Sequence, residues 1–285
     1  MKIGIALSGG GIRGIAHAGV LQALLENNIN IDVIGGTSSG SMVASLYAMG
    51  YEPSYIYKLF KKHAKEIAGL SSIPILSGIG YFMNIKKNKI KGLKTGNEIE
   101  EVFNKLASEK NIYNVTDIKM PIVVPTVDIK ESKEYVFTNY IPHNDNKYIS
   151  DIQIGKMIRA SSSFPAVFSP CNISKHAFLD GGALDNIPVV EVRKQGADKV
   201  IAVKFTEDKI DSKSDIMDIV MKTIDIMGSK IAEESLKNSD IILNIKTNKT
   251  RLLEMDKLEE CYKYGYSCAM ERMQEIKNMI KNNKS

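Results

Sequence analysis

The 285-residue chain contains no tryptophan, only three cysteines and only four histidines. Its 12 tyrosines and 8 phenylalanines still supply enough aromatic side chains for a sizeable core. The cysteines cannot all pair, and Cys261 and Cys268 lie about 10 Å apart on a predicted helix, which is too far for a disulfide. Neither they nor Cys171 belong to a CxxC pair or a Cys/His cluster. The sequence therefore predicts no metal site and a reduced, cytoplasmic setting.

Long apolar runs and a strong charge of one sign are also missing. No segment approaches the roughly 20 apolar residues of a membrane-spanning helix, and the apolar run over 3–7 is too short for a signal peptide. A net charge of +5 is too small to predict nucleic-acid binding. With 44% hydrophobic and 25% charged residues, the composition is that of a globular protein and excludes disorder. The length allows one large domain or two small ones.

Strand and helix patterns alternate along the chain, which is typical of an α/β fold with a mostly parallel sheet. We expect a three-layer sandwich in which helices flank the central sheet. One domain over 1–285 is predicted, with a motif-bearing core over about 3–188 and a C-terminal strand and helix layer over about 189–285. The predicted strands cover 3–7, 31–35, 120–127, 135–138, 177–180, 199–205 and 240–245. The predicted helices cover 13–26, 40–49, 53–68, 151–160, a segment between the last two strands, and 255–280, whose apolar face we expect to pack on the domain rather than on a partner.

The strongest motif, Gly36-Thr37-Ser38-Ser39-Gly40, fits the pattern G-x-S-x-G between a predicted strand and a predicted helix. In a nucleophile elbow this context places the serine on a sharp turn, so that its hydroxyl projects above the sheet. Small residues on either side let the strand and the helix approach closely, and the helix N-terminus favours developing negative charge. Ser38 is therefore a candidate nucleophile, and a serine that merely caps the helix is the alternative.

The second motif is the glycine-rich segment Gly9-Gly10-Gly11-Ile12-Arg13-Gly14, which follows the first strand. Glycines can aim several backbone N–H groups into one concavity, as an oxyanion hole or a phosphate-binding loop requires. The segment also fits the dinucleotide-binding pattern G-x-G-x-x-G. That site needs an acidic residue at the far end of the second strand, whereas Asp32 lies at the beginning of this strand. A dinucleotide site is thus the less favoured interpretation.

The third motif, Asp180-Gly181-Gly182, closes the strand predicted over 177–180. A carboxylate at the end of a strand lies at the sheet edge where the sites of α/β proteins assemble. An Asp-Gly pair alone is usually only a turn. Because the chain also contains the other two motifs, Asp180 is a candidate functional residue.

None of the four histidines makes a convincing base for a serine–histidine–aspartate triad. His17 is expected to be packed and hydrogen-bonded in the first helix, and His63 to be solvated on a lysine-rich helix. His143 lies in a polar loop. His176 is close to Asp180 in sequence, but Ser174-Lys175-His176 is typical of a turn between strands.

With these three motifs in order, the sequence resembles the patatin-like phospholipases over about 3–188. Arg159-Ala160-Ser161, Phe164-Pro165 and Phe168-Ser169-Pro170 also look like this family. The resemblance implies a patatin-like fold and a Ser–Asp dyad, in which Ser38 is the nucleophile and Asp180 its base. It further implies that Gly10 and Gly11 donate to an oxyanion, with Arg13 supporting that loop or the phosphate of a lipid. The implied reaction is ester hydrolysis of phospholipids or related lipids through an acyl-enzyme, without a metal or organic cofactor.

The segment from Gly69 to Gly96 matches no motif. It begins apolar and turns basic, with no acidic residue and five lysines over 86–94: Lys86, Lys87, Lys89, Lys91 and Lys94. A solvated surface loop and a flap that contacts anionic lipid are both compatible with this pattern. A lipid substrate and an anionic membrane surface are therefore the expected partners, and nucleic acid is not one.

Three further hypotheses stay open at this point. The first is a hydrolase of soluble esters or thioesters with the same mechanism. The second is a lipid-binding module without catalytic activity. The third, and the less favoured, is an oxidoreductase that holds a dinucleotide on the segment Gly9–Gly14.

Overall fold

The computed structural model describes residues 1–67, 94–140, 145–165, 167–206, 216–247 and 254–281. Within these ranges nine strands form one sheet. The strands are β1 (Ile3–Leu7), β2 (Val33–Gly36), β3 (Ile122–Asp128), β4 (Lys133–Thr138), β5 (Tyr148–Ile149), β6 (Cys171–Ile173), β7 (His176–Asp180), β8 (Lys199–Phe205) and β9 (Ile241–Ile245). β1, β2 and β3 are buried throughout, as expected for central strands that are covered on both faces.

The described residues also form ten α-helices. They are α1 (Ala16–Glu26), α2 (Ser39–Ala48), α3 (Pro53–Lys62), α4 (Ala64–Ile67), α5 (Asn97–Ser108), α6 (Ile154–Ser161), α7 (Val189–Lys194), α8 (Ile216–Leu236), α9 (Leu258–Glu271) and α10 (Met273–Lys281). Short 3-10 helices cover Gly11–Ile15, Val115–Asp117, Gly181–Ala183 and Met255–Lys257.

The sheet has the strand order β5-β4-β3-β2-β1-β8-β9, with β7 paired to β3 and β6 paired to β7. Five of the eight pairings are parallel, and β3–β4, β3–β7 and β6–β7 are antiparallel. The prediction of a mostly parallel sheet is confirmed. β8 and β9 come from the C-terminal part of the chain and extend the same sheet beyond β1. The boundaries of a single domain over 1–285 stay a prediction.

Helices cover both faces of the sheet, so the three predicted layers are confirmed. Alternating residues of β1 enter different cores: Ile5 and Leu7 pack into a large cluster with α1, α2 and α9, whereas Ala6 packs with α7. On the α7 face, Val192 lies directly against the glycines of the sheet. A Cβ atom on Gly4 would be 2.4 Å from Val192 Cγ1.

On the other face, α1 and α9 cross with their backbones almost in contact. A Cβ atom on Gly19 would lie 2.0 Å from the Tyr262 carbonyl oxygen, and one on Gly265 would lie 1.8 Å from that of Ala16. The apolar face predicted over 255–280 does pack on the domain, with Cys261 and Ala269 fully buried. It is divided between α9 and α10, since the α-helix ends at Glu271.

Several predicted boundaries differ from the structure. The helix predicted from residue 13 begins as the 3-10 helix Gly11–Ile15, and the helix predicted over 53–68 is interrupted at His63. Helices α5 and α7 and strands β5 and β6 were not predicted. Most of the basic segment Gly69–Gly96 lies outside the described residues. Its Lys94 is partly buried and forms an isolated bridge with Phe168.

In the part of the chain that the structure describes, no helix combines the length and the apolar content needed to cross a membrane.

Candidate active site

Ser38 occupies the turn between β2 and α2. Its backbone has φ 54° and ψ −123°, in the positive-φ region that residues other than glycine seldom adopt. Such strain is held only where the surroundings fix it, and it is characteristic of a nucleophile elbow. The Ser38 side chain makes no helix-capping hydrogen bond. The alternative of a serine that merely caps α2 is therefore wrong.

The two outer glycines of this motif make the sharp turn sterically feasible. A Cβ atom on Gly36 would lie 2.3 Å from the Gly40 carbonyl oxygen, and one on Gly40 would lie 2.4 Å from the Leu7 carbonyl oxygen. Neither position has room for a side chain. β2, α2 and β1 are thus drawn together at the point where Ser38 leaves the sheet.

Hydrogen bonds hold the Ser38 backbone from both sides. Its N–H donates to Ser161 Oγ at 3.1 Å, and that hydroxyl donates in turn to the Pro125 carbonyl oxygen at 2.7 Å. The Ser41 hydroxyl donates to the Ser38 carbonyl oxygen at 2.6 Å. Ser161 lies at the end of α6 and Pro125 in β3, so two segments that are distant in sequence help to fix the elbow.

The glycine-rich segment lies against Ser38. A Cβ atom on Gly9 would be 3.2 Å from Ser38 Cβ, and one on Gly14 would be 2.4 Å from Ser39 Oγ. The Gly9 N–H donates to Asn186 Oδ1 at 3.0 Å. The backbone turns sharply here, since Gly11 has φ 58°. The segment therefore passes directly over the elbow.

Arg13 supports this segment from below. The side chain is 5% exposed, its Nε donates to the Gly10 carbonyl oxygen at 3.2 Å, and its guanidinium lies 5.2 Å from the ring centre of Phe205. The predicted contact of Arg13 with the loop is thus present, whereas its role in a reaction and a contact with the phosphate of a lipid stay predictions. By contrast, Asp32 Oδ2 accepts from the Ile3 N–H at 2.7 Å, at the opposite edge of the sheet. This position does not suit a ribose contact in a dinucleotide site.

Asp180 reaches the site by a route that the sequence does not predict. β7 is antiparallel to β3, and Asp180 pairs with Thr126, in the part of β3 that extends beyond the end of β2. The Asp180 side chain caps the following 3-10 helix by accepting from the Gly182 N–H at 2.8 Å, and its backbone N–H donates to the Ser163 carbonyl oxygen at 3.2 Å. Asp180 is 4% exposed.

A cavity of about 180 Å³ joins the three motifs. Six motif residues line it: Gly9, Gly10, Gly11, Ser38, Asp180 and Gly182. The rest of its lining is mainly apolar, with Ile12, Met42, Ile67, Phe164, Val167, Phe168 and Met227. The other predicted motif residues, Arg13, Gly14, Gly36, Gly40 and Gly181, are not among the lining residues and shape the backbone around it. The cavity therefore combines a serine and an aspartate with mainly apolar walls, as ligand-binding cavities commonly do.

The end of α6 and the two residues that follow it connect Ser38 to Asp180. Ser161 bonds Ser38 through its hydroxyl, and Ser163 bonds Asp180 through its carbonyl oxygen. Arg159 is 2% exposed and donates to Thr95 O at 2.5 Å, Ser163 Oγ at 2.5 Å and Ser169 O at 2.7 Å. Sequence reasoning identified Arg159-Ala160-Ser161 only as a family feature. It did not predict the hydrogen bond between Ser161 and the elbow.

Asn186 is a second site residue that sequence reasoning missed. It lines the cavity and binds the Gly9 N–H through both its side-chain and its backbone oxygen. The only signal was its place six residues after Asp180, in a polar turn. Such a turn has no periodic pattern that would single out one residue.

Among the described residues, no histidine lines the cavity that contains Ser38. His17 is fully buried below the glycine-rich segment, where its Nε2 lies 2.8 Å from the Ser8 carbonyl oxygen, so the predicted packing is confirmed. His63 caps the end of α3 and is partly buried. His143 lies outside the described residues. His176 bonds Asp128 and begins β7 rather than lying in the turn.

Asp128, Glu131 and His176 have donor atoms within 4.8 Å of one another, a donor set that a metal ion could use. These atoms already have partners. Asp128 accepts from His176 Nδ1 and from the N–H groups of Lys130 and Ala177, and Glu131 accepts from the Tyr135 hydroxyl. Burial raises the pKa of Asp128, but these hydrogen bonds outweigh it and hold the pKa below its usual value. We assign this cluster to the support of the β3–β7 pairing.

Burial of His17 makes stability depend on pH. Loss of solvation lowers its pKa from 6.5 to about 4, and the bond to Ser8 only partly opposes this. Between these values the unfolded chain binds a proton that the folded chain does not, so stability falls as the pH decreases. We expect the free energy of unfolding to lose about 3 kcal/mol from pH 7 to pH 4 through this residue. Urea unfolding of the wild type and of His17→Gln measures it, and equal pH slopes for both proteins would contradict it.

Comparison with known proteins agrees with this geometry. A family model described as patatin-like phospholipase matches residues 5–193. Lysophospholipase NTE1 of Meyerozyma guilliermondii is 38% identical over 208 residues, which are 70% of this chain and 12% of that protein. The corresponding protein of Saccharomyces cerevisiae is 33% identical over 201 residues, covering 70% of this chain and 10% of its own. The chain thus matches about an eighth or less of the length of these curated relatives.

Solved structures share the fold at low sequence identity. VipD from Legionella pneumophila superposes with a TM-score of 0.51 at 17% identity, over 96% of this chain and 67% of that one. Human GIVD cytosolic phospholipase A2 in complex with methyl gamma-linolenyl fluorophosphonate gives a TM-score of 0.50 at 9% identity, over 96% and 58%. The family match spans all three motifs, and its description agrees with the enzyme class predicted from them. The chain belongs to the patatin-like phospholipase family.

Proposed function

We propose that this protein hydrolyses the acyl ester bond of a lysophospholipid or a related lipid through a Ser38–Asp180 dyad. The observation that carries the proposal is the cavity that Ser38, Asp180 and the glycine-rich segment line together with mainly apolar side chains. The curated relatives, which are named lysophospholipases, support this substrate class.

In the proposed reaction, the Asp180 carboxylate takes the proton of the Ser38 hydroxyl while Oγ attacks the ester carbonyl carbon. The N–H groups of Gly10 and Gly11 stabilise the negative charge on the carbonyl oxygen. The alcohol leaves with a proton from Asp180, and an acyl-enzyme remains on Ser38. A water molecule then attacks the acyl carbon and gives a proton to Asp180; the bond to Ser38 Oγ breaks, Asp180 returns the proton to Oγ, and the fatty acid leaves.

The bonds around the site explain how the chain holds these groups in place. Ser161 fixes the Ser38 backbone, Ser163 fixes Asp180, and Arg13 fixes the carbonyl of Gly10. An aspartate with a pKa near 4 is a weak base for a serine. The near-complete burial of Asp180 removes competing water, yet we still expect a modest turnover rate.

Release of fatty acid from a lysophospholipid, together with labelling by a fluorophosphonate and peptide mapping, tests the proposal. We expect free fatty acid as a product and the label on the peptide that contains Ser38. A label on another residue would contradict the assignment of Ser38 as the nucleophile. Faster turnover of short soluble esters or acyl thioesters than of lipids would instead favour a hydrolase of soluble substrates.

Contact with a lipid surface is part of the proposed function. Met227 lines the cavity and is 58% exposed, and Leu184, next to the lining residue Ala183, is 38% exposed. We infer that these exposed apolar side chains contact the lipid surface from which the substrate is taken. Sedimentation with neutral and anionic vesicles tests this contact, and salt dependence would show whether lysines contribute.

Replacing Gly11 by alanine is expected to lower kcat about 10²- to 10³-fold, as the loss of one oxyanion donor does. Gly11 has φ 58° and lines the cavity, so a methyl group would strain the turn and move its N–H. Gly50→Ala is the matched control, since Gly50 has φ 83° and no atom within 4 Å of an added Cβ. An unchanged kcat in Gly11→Ala, beside a normal control, would place the oxyanion hole elsewhere.

Replacing Ser161 by alanine is expected to lower kcat about 10- to 100-fold with little change in KM. The substitution leaves the Ser38 N–H and the Pro125 carbonyl without their shared hydroxyl, so the elbow can shift by a fraction of an ångström. Ser161→Thr, which keeps a hydroxyl, should recover part of the rate. Ser45→Ala is the matched control, because Ser45 is fully buried and its hydroxyl has no partner. Equal losses in both alanine variants would reduce Ser161 to a packing residue.

A further inference from the structure

A second, smaller cavity adjoins the catalytic one behind the glycine-rich segment. Gly9 and Asn186 line both cavities, so the two share a wall formed by the hydrogen bond between these residues. The second cavity measures about 30 Å³, compared with about 180 Å³ for the first. It can hold a compact group but not an acyl chain.

The lining of this small cavity contains two cationic and several neutral polar residues. They are Arg13, Lys204, Asn186, Ser8, Thr206 and Ser229. No acidic side chain lines it among the residues that the structure describes. Two cationic residues beside a small space without an acidic residue favour an anion, and Arg and Lys are residues that commonly bind phosphate.

Ser8 gives an independent sign that a ligand belongs here. It is 1% exposed, and its Oγ has no hydrogen-bond partner among the described residues, although its backbone groups are bonded to Val203 and His17. A buried hydroxyl without a partner is costly, and natural structures contain few of them. The Lys204 side chain is partly buried and makes no hydrogen bond or ion pair with the described part of the chain.

We propose that this cavity binds a phosphate group, with Lys204 and Ser8 as its main contacts. Its place next to Gly9 suits the phosphate of a lipid whose ester bond lies at Ser38, and in that form the inference rests on the proposed function. Free inorganic phosphate has the same chemistry and is the other source. The two sources differ in what the binding does: a lipid phosphate selects the substrate, and free phosphate stabilises the protein.

The test compares two substrates with the same acyl chain, a lysophosphatidyl ester and a monoacylglycerol, both in neutral detergent micelles. Lys204→Gln should lower the ratio of their kcat/KM values about 10- to 100-fold, the loss expected for a charge-assisted hydrogen bond. Lys230→Gln is the matched control. Lys230 follows Ser229 in sequence but is exposed, pairs with Glu233 and does not line the cavity.

A second measurement follows the melting temperature against inorganic phosphate. The wild type should be stabilised, Lys204→Gln less so, and Ser8→Ala should lose part of the effect while folding normally, because it removes an unpaired hydroxyl. A changed substrate ratio identifies a lipid phosphate. An unchanged ratio with a lost phosphate effect identifies free phosphate. If Lys204→Gln changes neither, the cavity does not bind phosphate. A wild type that cleaves no ester would refute the proposed function, while the phosphate titration would still test the cavity.

Discussion

Replacing Ser38 by alanine is expected to abolish both ester hydrolysis and fluorophosphonate labelling while the protein stays folded. The substitution removes the proposed nucleophilic oxygen and keeps the Cβ atom, so the strained backbone of the elbow gains no new contact. The Ser38 hydroxyl makes no capping bond to α2, so its loss costs less than the roughly 1 kcal/mol of a capping serine. Labelling kinetics and the melting temperature measure the two effects.

Ser45→Ala is the control for this substitution also. Ser45 lies on the same helix as the elbow motif and is fully buried, so it reproduces the loss of a hydroxyl in that helix without touching the cavity. It should label and turn over like the wild type. Persistent labelling of Ser38→Ala would show that another residue attacks the ester.

Replacing Asp180 by asparagine is expected to lower kcat about 10²- to 10⁴-fold, the range that a general base contributes. Asparagine has the same shape and its amide oxygen can still accept from the Gly182 N–H, so the end of β7 should keep its structure. The amide cannot take up the Ser38 proton. No described histidine lines the cavity to replace it.

A histidine variant makes this test specific. His176→Gln removes the contact with Asp128, outside the cavity, and should leave kcat near the wild-type value. A folded Asp180→Asn protein with near-normal kcat would assign the base to another group. A large loss in His176→Gln alone would favour a triad.

The parts of the site that the sequence predicts are those whose signal is local. The elbow motif needs small residues at Gly36 and Gly40 because strand, turn and helix meet within five residues, and those residues are adjacent in the chain. The residues of the glycine-rich segment Gly9–Gly14 are likewise adjacent in the chain, so this motif is also visible in the sequence. The sequence predicts Asp180 at the end of a strand, but not that this strand is antiparallel. Asp180 reaches the site because it pairs with Thr126 in β3.

What the sequence could not predict depends on contacts between distant segments. Ser161 bonds Ser38 across 123 residues, and Asn186 bonds Gly9 across 177. Single side-chain bonds of this kind leave no periodic pattern. β5 has two residues and β6 three, too few for alternation to appear. α5 is different, since its buried positions Ile99, Phe103 and Leu106 have helical spacing that could have been recognised.

The crossing of α1 with α9 and the place of β8 beside β1 determine how short a working fragment can be. A fragment ending at residue 193, where the family match stops, would leave the β1 edge without its partner Lys199–Phe205 and α1 without the helix that touches its backbone at Gly19. Phe205, against which Gly10 and Arg13 pack, would be missing as well. The glycine-rich segment would lose the aromatic ring on which it packs. The smallest unit able to support catalysis is therefore longer than the segment by which the family is recognised.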